Sequence, residues 1–172
     1  GVLYPVDSRL RPSGTQGALV ASIDAFEAYH RGDGARSAAL WERQALVKAR
    51  VVWGDAALAK RLDDGVLAPG NPATLPADAA SQVAAMRFRL DATAPVHGLD
   101  PKKGPGGLLD VEFAVQWLQL RHALREPSTP DAIERLRRRG HLKHDDANAL
   151  LRAHAELRQV ERRLRLRYGR AD

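Results

Sequence analysis

The chain has 172 residues, 27 of them basic and 21 acidic, with a net charge of +6 and no cysteine. That length suits one domain, or one with a small appendage, and 44% hydrophobic with 28% charged residues is a globular composition rather than a disordered one. Disulfides and thiolate metal sites are excluded, which fits a cytoplasmic protein. No apolar run approaches the roughly 18 residues that cross a bilayer.

A pI near 10.2 invites nucleic acid as a partner, but the distribution argues against it. Most basic residues alternate with acids, and the densest cluster, RRLRLRYGR at 162–170, ends a helical stretch where cations offset the macrodipole. Aromatic residues make up only 5% and do not interleave with the basic ones as a stacking platform requires.

In chain order, residues 2–10 predict a strand and LVAS at 19–22 a second, with PSGTQG as the turn between them. A chain that opens on a strand and is poor in strands afterwards reads as part of something larger. Helical period takes over from there. Ser22 is a candidate N-cap for 23–31, ended by Gly32; residues 38–52 form a mostly apolar helix; Asp55 caps a helix to about Leu62. GVLAPGNPATLP at 65–76 is a loop. Helices are then expected at 77–90, 108–124, 131–139 and from Asp145 or Asp146 to Tyr168. The fold class is mainly α: a helical bundle with a short N-terminal β element, divided into residues 1–22 and 23–172.

Three stretches carry candidate chemistry. In YPVDSRLRPSG, a strand would send Asp7, Arg9 and Arg11 to one face, where a carboxylate can hold Mg²⁺ and guanidinium groups can reach phosphate oxygens. The bland alternative is an ion pair. In WERQALVKAR, Glu42 invites a salt bridge, while Lys48 and Arg50 compensate the end of a helix. In LDPKKGPGGLLDVEF, Gly104, Gly106 and Gly107 precede a helix start, so outward N–H groups with Lys102 and Lys103 form a candidate anion cradle. The spacing is not that of a P-loop, and on local evidence a turn that merely introduces the helix is the favoured reading. In that helix Leu109, Phe113, Trp117, Leu120 and Leu124 share one side, and Glu112, Gln116 and Gln119 form a narrow polar stripe. Asp110 and Glu112 lie about 200° apart, too far round to act as a carboxylate pair. The six histidines show no metal-binding spacing.

Taken together and in this order, YPVDSRLRPSG, WERQALVKAR and KKGPGGLLDVEF resemble signature stretches of the glutamate–ammonia-ligase (glutamine synthetase) adenylyltransferases, and LRPSGTQGALV looks more like the C-terminal, adenylylating half. The resemblance implies ATP and Mg²⁺ as cofactors, with AMP transferred to a tyrosine of glutamine synthetase and removed again by the other half. It implies that Asp7 matches the third metal-binding carboxylate of a nucleotidyltransferase sheet whose Asp-x-Asp motif lies outside this chain. Arg9, Arg11, Ser13 and Gly14 match the turn beside the nucleotide phosphates, and Glu42, Lys48 and Arg50 the helical signature that follows. Lys102, Gly104, Gly106, Gly107, Asp110 and Glu112 match a glycine-rich motif behind the active site. Residues 1–22 would then end the sheet and 23–172 form the helical domain. By itself the chain is expected to be inactive. Glutamine synthetase is the implied protein substrate and a PII signal protein a further partner. The alternatives are a helical domain related to the PII uridylyltransferases, or a non-catalytic helical interaction module.

Overall fold

The computed structural model describes residues 11–32, 37–68, 74–91 and 100–168. The strand expected at 2–10, with Asp7 and Arg9, lies outside them. Among the described residues there are seven α-helices, one 3₁₀ turn and no strand. The chain divides into two compact units, Gly1–Ala68 and Pro69–Asp172.

In the first unit, a 3₁₀ turn at Gly14–Gln16 leads to α1 (Ile23–Arg31), α2 (Leu40–Leu46) and α3 (Ala56–Asp64). Helix α1 matches its sequence signals at both ends. Ser22 accepts the Ala25 N–H, and Gly32 closes the helix in the left-handed region at φ 85°. Asp55 caps α3 by accepting from Ala57 and Leu58. Two expectations fail. Residues 19–22 are no strand: Leu19 and Val20 are exposed and the 11–17 turn folds onto itself instead of sending the chain back along a neighbour. The helix expected over 38–52 spans only 40–46, after which Val47 and Lys48 turn and Val51–Trp53 run non-helically with Val52 and Trp53 exposed. Consecutive β-branched residues disfavour another helical turn.

The second unit contains α4 (Ala79–Asp91), α5 (Leu108–Arg121), α6 (Thr129–Arg138) and α7 (His144–Tyr168). Helices α5, α6 and α7 pack on one another, and α4 packs on α5. Helix α6 shows most directly why: Thr129, Ala132, Ile133 and Leu136 are buried at helical spacing, while Asp131 and Arg138 face water. Ala132, Ile133 and Leu136 join Val111, Val115, Leu124 and Ala147 in one core. Burying each large apolar side chain contributes about 1.5–3 kcal/mol. Helix α6 starts at Thr129 rather than 131, because Ser128 supplies the cap and Pro130 fits the first turn. Helix α7 begins at His144, so Asp145 and Asp146 stand in its first turn as dipole partners rather than caps.

The buried side of α5 also differs from expectation. Leu108, Val111, Val115, Gln116 and Gln119 are buried, whereas Leu109, Phe113, Trp117 and Leu120 are only half-buried. The polar stripe is tolerated inside because Gln119 is satisfied: its Oε1 accepts the Glu126 N–H at 2.7 Å.

Helix α5 stops at Arg121, short of Leu124. The Ala123 N–H donates to Leu120 O and the Leu124 N–H to Gln119 O, with Ala123 itself left-handed at φ 46°. Helix α6 ends in the same way, with Gly140 at φ 73° donating to Arg137 O and His141 to Leu136 O. Both are Schellman endings, one built on alanine and one on glycine. An L side chain in this conformation costs about 1–2 kcal/mol. Ala123→Gly should therefore raise stability by about 0.5–1 kcal/mol and Gly140→Ala lower it by about 1 kcal/mol. Urea denaturation of the two variants checks both signs; equal effects of the same sign would contradict the comparison.

Candidate functional site

The RPSG segment is a clasp closed by its own arginine. Gly14 N–H donates to Arg11 O at 2.8 Å and Gly17 N–H to Gly14 O at 3.1 Å. Arg11 Nε donates to Gly17 O at 3.0 Å, with Nη2 3.4 Å from Thr15 O. Gly17 is required by space, since a Cβ there would lie 1.8 Å from Pro12 O. Ser13 sits at φ 62°, a left-handed position for a residue other than glycine. Such a conformation costs about 1–3 kcal/mol and persists only where the surroundings enforce it.

The Ser13 amide meets a side chain outside the three signature stretches. The Ser13 N–H donates to the Tyr29 hydroxyl at 3.3 Å, and that hydroxyl donates to the Glu42 carboxylate, 3.0 Å from both oxygens. Glu42 Oε2 also accepts the Ala39 N–H at 2.7 Å, closing the first turn of α2. At 7% exposure Glu42 is a buried carboxylate, and these donors answer its desolvation. Among the described residues Glu42 is thus bonded to a phenol and a backbone amide, where a salt bridge was expected. The relay joins two of the three signature stretches, RLRPSG and WERQ. Beside it, the His30 ring lies edge-on to Tyr29 with centroids 5.2 Å apart, and burial holds its pKa below the ordinary value, against the opposing pull of Glu42. Lys48 is half-buried in the turn after α2 and Arg50 is exposed beyond it, so neither is on the helix.

A second buried carboxylate ties α1 to α3. Glu27 accepts from Arg61 Nε at 2.8 Å and from Nη2 at 2.9 Å, a bidentate pair, and Arg61 also bonds Asp24. No sequence spacing reveals it, because 34 residues separate the partners.

In the second unit, the glycine-rich stretch folds inward. Leu108 N–H donates to Pro101 O, Leu109 N–H to Lys102 O, Asp110 N–H to Gly107 O and Gly107 N–H to Gly104 O. Gly106 N–H goes to Asp110 Oδ2 at 2.7 Å. The outward N–H groups expected at the start of α5 are therefore not there: loop carbonyls and one carboxylate take them. Lys102 and Lys103 donate their own amides to Asp100 Oδ1. The other oxygen of Asp110 accepts from Arg87 Nε on α4 at 2.7 Å, and Arg87 Nη2 reaches Lys103 O and Gly104 O. Gly107 has no room for a Cβ, which would approach Gly104 O to 2.7 Å. Glu112 is half-buried one turn side away from Asp110. Arg87 and Tyr29 went unnoticed in the sequence because each acts on a loop far along the chain.

Comparison with known proteins agrees with this division. Residues 1–65 match the family described as glutamate-ammonia ligase adenylyltransferase, and residues 75–172 match the GlnD PII-uridylyltransferase family. The bifunctional glutamine synthetase adenylyltransferase/adenylyl-removing enzyme of Mycobacterium avium is 41% identical over 170 residues, 95% of this chain and 17% of its own length. The protein of the same name from Mycobacterium leprae is also 41% identical, over 95% of the chain and 16% of its own length. That of Chromobacterium violaceum is 42% identical over 128 residues, 74% of the chain and 14% of its own length. The chain thus spans about a sixth of the length of these relatives. Both matching families are nucleotidyltransferases. The chain belongs to the glutamate–ammonia ligase adenylyltransferases, with a second unit of the kind shared with the PII uridylyltransferases.

The Glu27–Arg61 pair makes a pH prediction. Hydrogen bonds from Arg61 hold the Glu27 carboxyl below its ordinary value of 4.5, outweighing the burial that pushes it up. The folded chain then binds fewer protons than the unfolded one around that value. The stabilisation is complete above pH 4.5 and is lost as pH falls through the lower folded value. Glu27→Gln should be less stable than wild type at pH 6 and converge with it toward pH 3, in urea unfolding followed by circular dichroism. A gap that does not change with pH would contradict the assignment.

Proposed function

We propose that this chain is part of an adenylyltransferase that moves AMP from ATP to a tyrosine hydroxyl of glutamine synthetase, and that its first unit belongs to the half of the enzyme that adds AMP rather than removes it. The observation that carries the reading is the relay from Ser13 through Tyr29 to Glu42, which joins the two signature stretches of the first unit into one body. In this reading the segment that carries Asp7 and Arg9 belongs to a nucleotidyltransferase domain, and the helices that follow shape the cleft and dock the protein substrate. Asp7 is one carboxylate of a magnesium site, and Arg9 neutralises phosphate charge. Among the described residues no group of three or more His, Asp or Glu side chains could hold a metal. In this reading the other carboxylates are those of the Asp-x-Asp motif in the full enzyme. Magnesium there supplies charge neutralisation at the phosphates.

Arg11, Ser13 and Gly14 present the turn to the nucleotide. Because Arg11 spends two nitrogens on its own loop, its contribution is to hold the turn's shape. Lys48 and Arg50 add positive charge after α2, and Lys102 adds it at the glycine-rich stretch. Gly106 and Gly107 act there by letting the chain fold tightly, with Asp110 fastening it to α4. The enzyme works in the cytoplasm; none of the described helices is long and apolar enough to cross a membrane. A PII signal protein is a natural regulator, given the second unit's match to the PII-uridylyltransferase family.

Asp7→Ala in the full-length enzyme should abolish AMP transfer, read as label from α-labelled ATP on glutamine synthetase, while leaving binding of glutamine synthetase intact. The 172 residues alone should transfer none. Transfer by the isolated chain, or a full-length Asp7→Ala enzyme that retains activity, would overturn the reading.

A further inference from the structure

We infer that Tyr29 is a positioning residue for nucleotide use: its hydroxyl holds Ser13 in the left-handed conformation and so sets the phosphate-side turn from behind. The inference rests on the transferase reading above. It deepens that reading by adding a residue outside the three signature stretches.

Three features of the geometry carry it. Ser13 is one of two residues other than glycine with positive φ among those described, and its amide is the one that points to Tyr29. The hydroxyl both accepts and donates: it takes the Ser13 N–H and gives its own proton to a buried carboxylate. Glu42 is in turn held by the Ala39 amide, so the acceptor is fixed by the first turn of α2. A phenol with a fixed anionic acceptor has its oxygen lone pairs aimed in a defined direction, which suits it to hold one amide. Phenylalanine would keep the ring and its contacts with His30 but lose this link. The turn would then rely on its internal bonds, and Ser13 would pay the left-handed cost without compensation. A loosened turn binds the phosphates less well without altering the reacting atoms. The loss should appear in the KM for ATP rather than in kcat.

Glycine enters the left-handed region freely, so Ser13→Gly should make the Tyr29 hydroxyl dispensable. This distinguishes positioning from general support of the fold. Two measurements test it. In the present chain, Tyr29→Phe should speed amide hydrogen exchange at residue 13 at least tenfold. In the full-length enzyme it should raise the KM for ATP about three- to tenfold with kcat within about twofold, and adding Ser13→Gly should bring KM most of the way back. Unchanged exchange, or wild-type transfer with an unchanged KM in Tyr29→Phe, overturns the inference alone. So does a raised KM that Ser13→Gly fails to restore. A wild-type parent without AMP transfer sinks the transferase reading and takes this inference with it. If Tyr29→Phe does not fold, Glu42→Gln replaces it: the amide keeps an acceptor for Tyr29 but loses the charge, and a smaller KM rise is expected. No rise there overturns the inference.

Discussion

A buried carboxylate must be answered by donors, and Glu42 organises the first unit around that need. In this unit the buried apolar side chains among the described residues are Leu40, Val47 and Leu67, too few to define the geometry by packing alone. Directional bonds do the rest. Glu42 draws in the Tyr29 hydroxyl and the Ala39 amide, and Glu27 draws in Arg61. Each pair fastens segments that are distant in sequence. Each is also demanding, since removing one partner leaves a desolvated charge exposed to nothing.

The second unit rests on a different balance. Its core is apolar, with Ala132, Ile133, Leu136 and Ala147 wholly excluded from solvent. At one corner of it, Arg87 and Asp110 pin the glycine-rich loop between α4 and α5. The loop's amides face inward because Asp110 and the carbonyls of residues 101–107 claim them. A stretch that resembles an anion cradle on paper is, in the fold, a joint. The two family matches meet between residues 65 and 75, around the division at Ala68, so the contrast in construction follows the kinship.

How much of this was legible in the sequence depended on whether the signal was local. Helix α1 was readable at both ends because Ser22 and Gly32 act on the backbone beside them. So was the end of α6, where Gly140 marks the left-handed residue. The matching end of α5 was hidden, because Ala123 takes the same conformation without the residue type that announces it. The strand expected at 19–22 illustrates the opposite error: the short run LVAS after a turn was read as a sheet element, though pairing needs a neighbour that local pattern cannot supply. The candidate residues Arg11, Ser13, Gly14 and Glu42 were found from motif resemblance, but their partnership through Tyr29 was not. A hydrogen bond across 13 or 16 residues leaves no periodic trace.

The account therefore turns on whether the Tyr29–Glu42 contact is a real energetic link. A double-mutant cycle between Tyr29→Phe and Glu42→Gln, measured by urea unfolding of this chain at neutral pH, reads that link directly. Coupling of about 0.5–3 kcal/mol is expected for groups that share one hydrogen bond. Additive losses, with coupling indistinguishable from zero, would contradict it and leave the turn and α2 as neighbours without a tie.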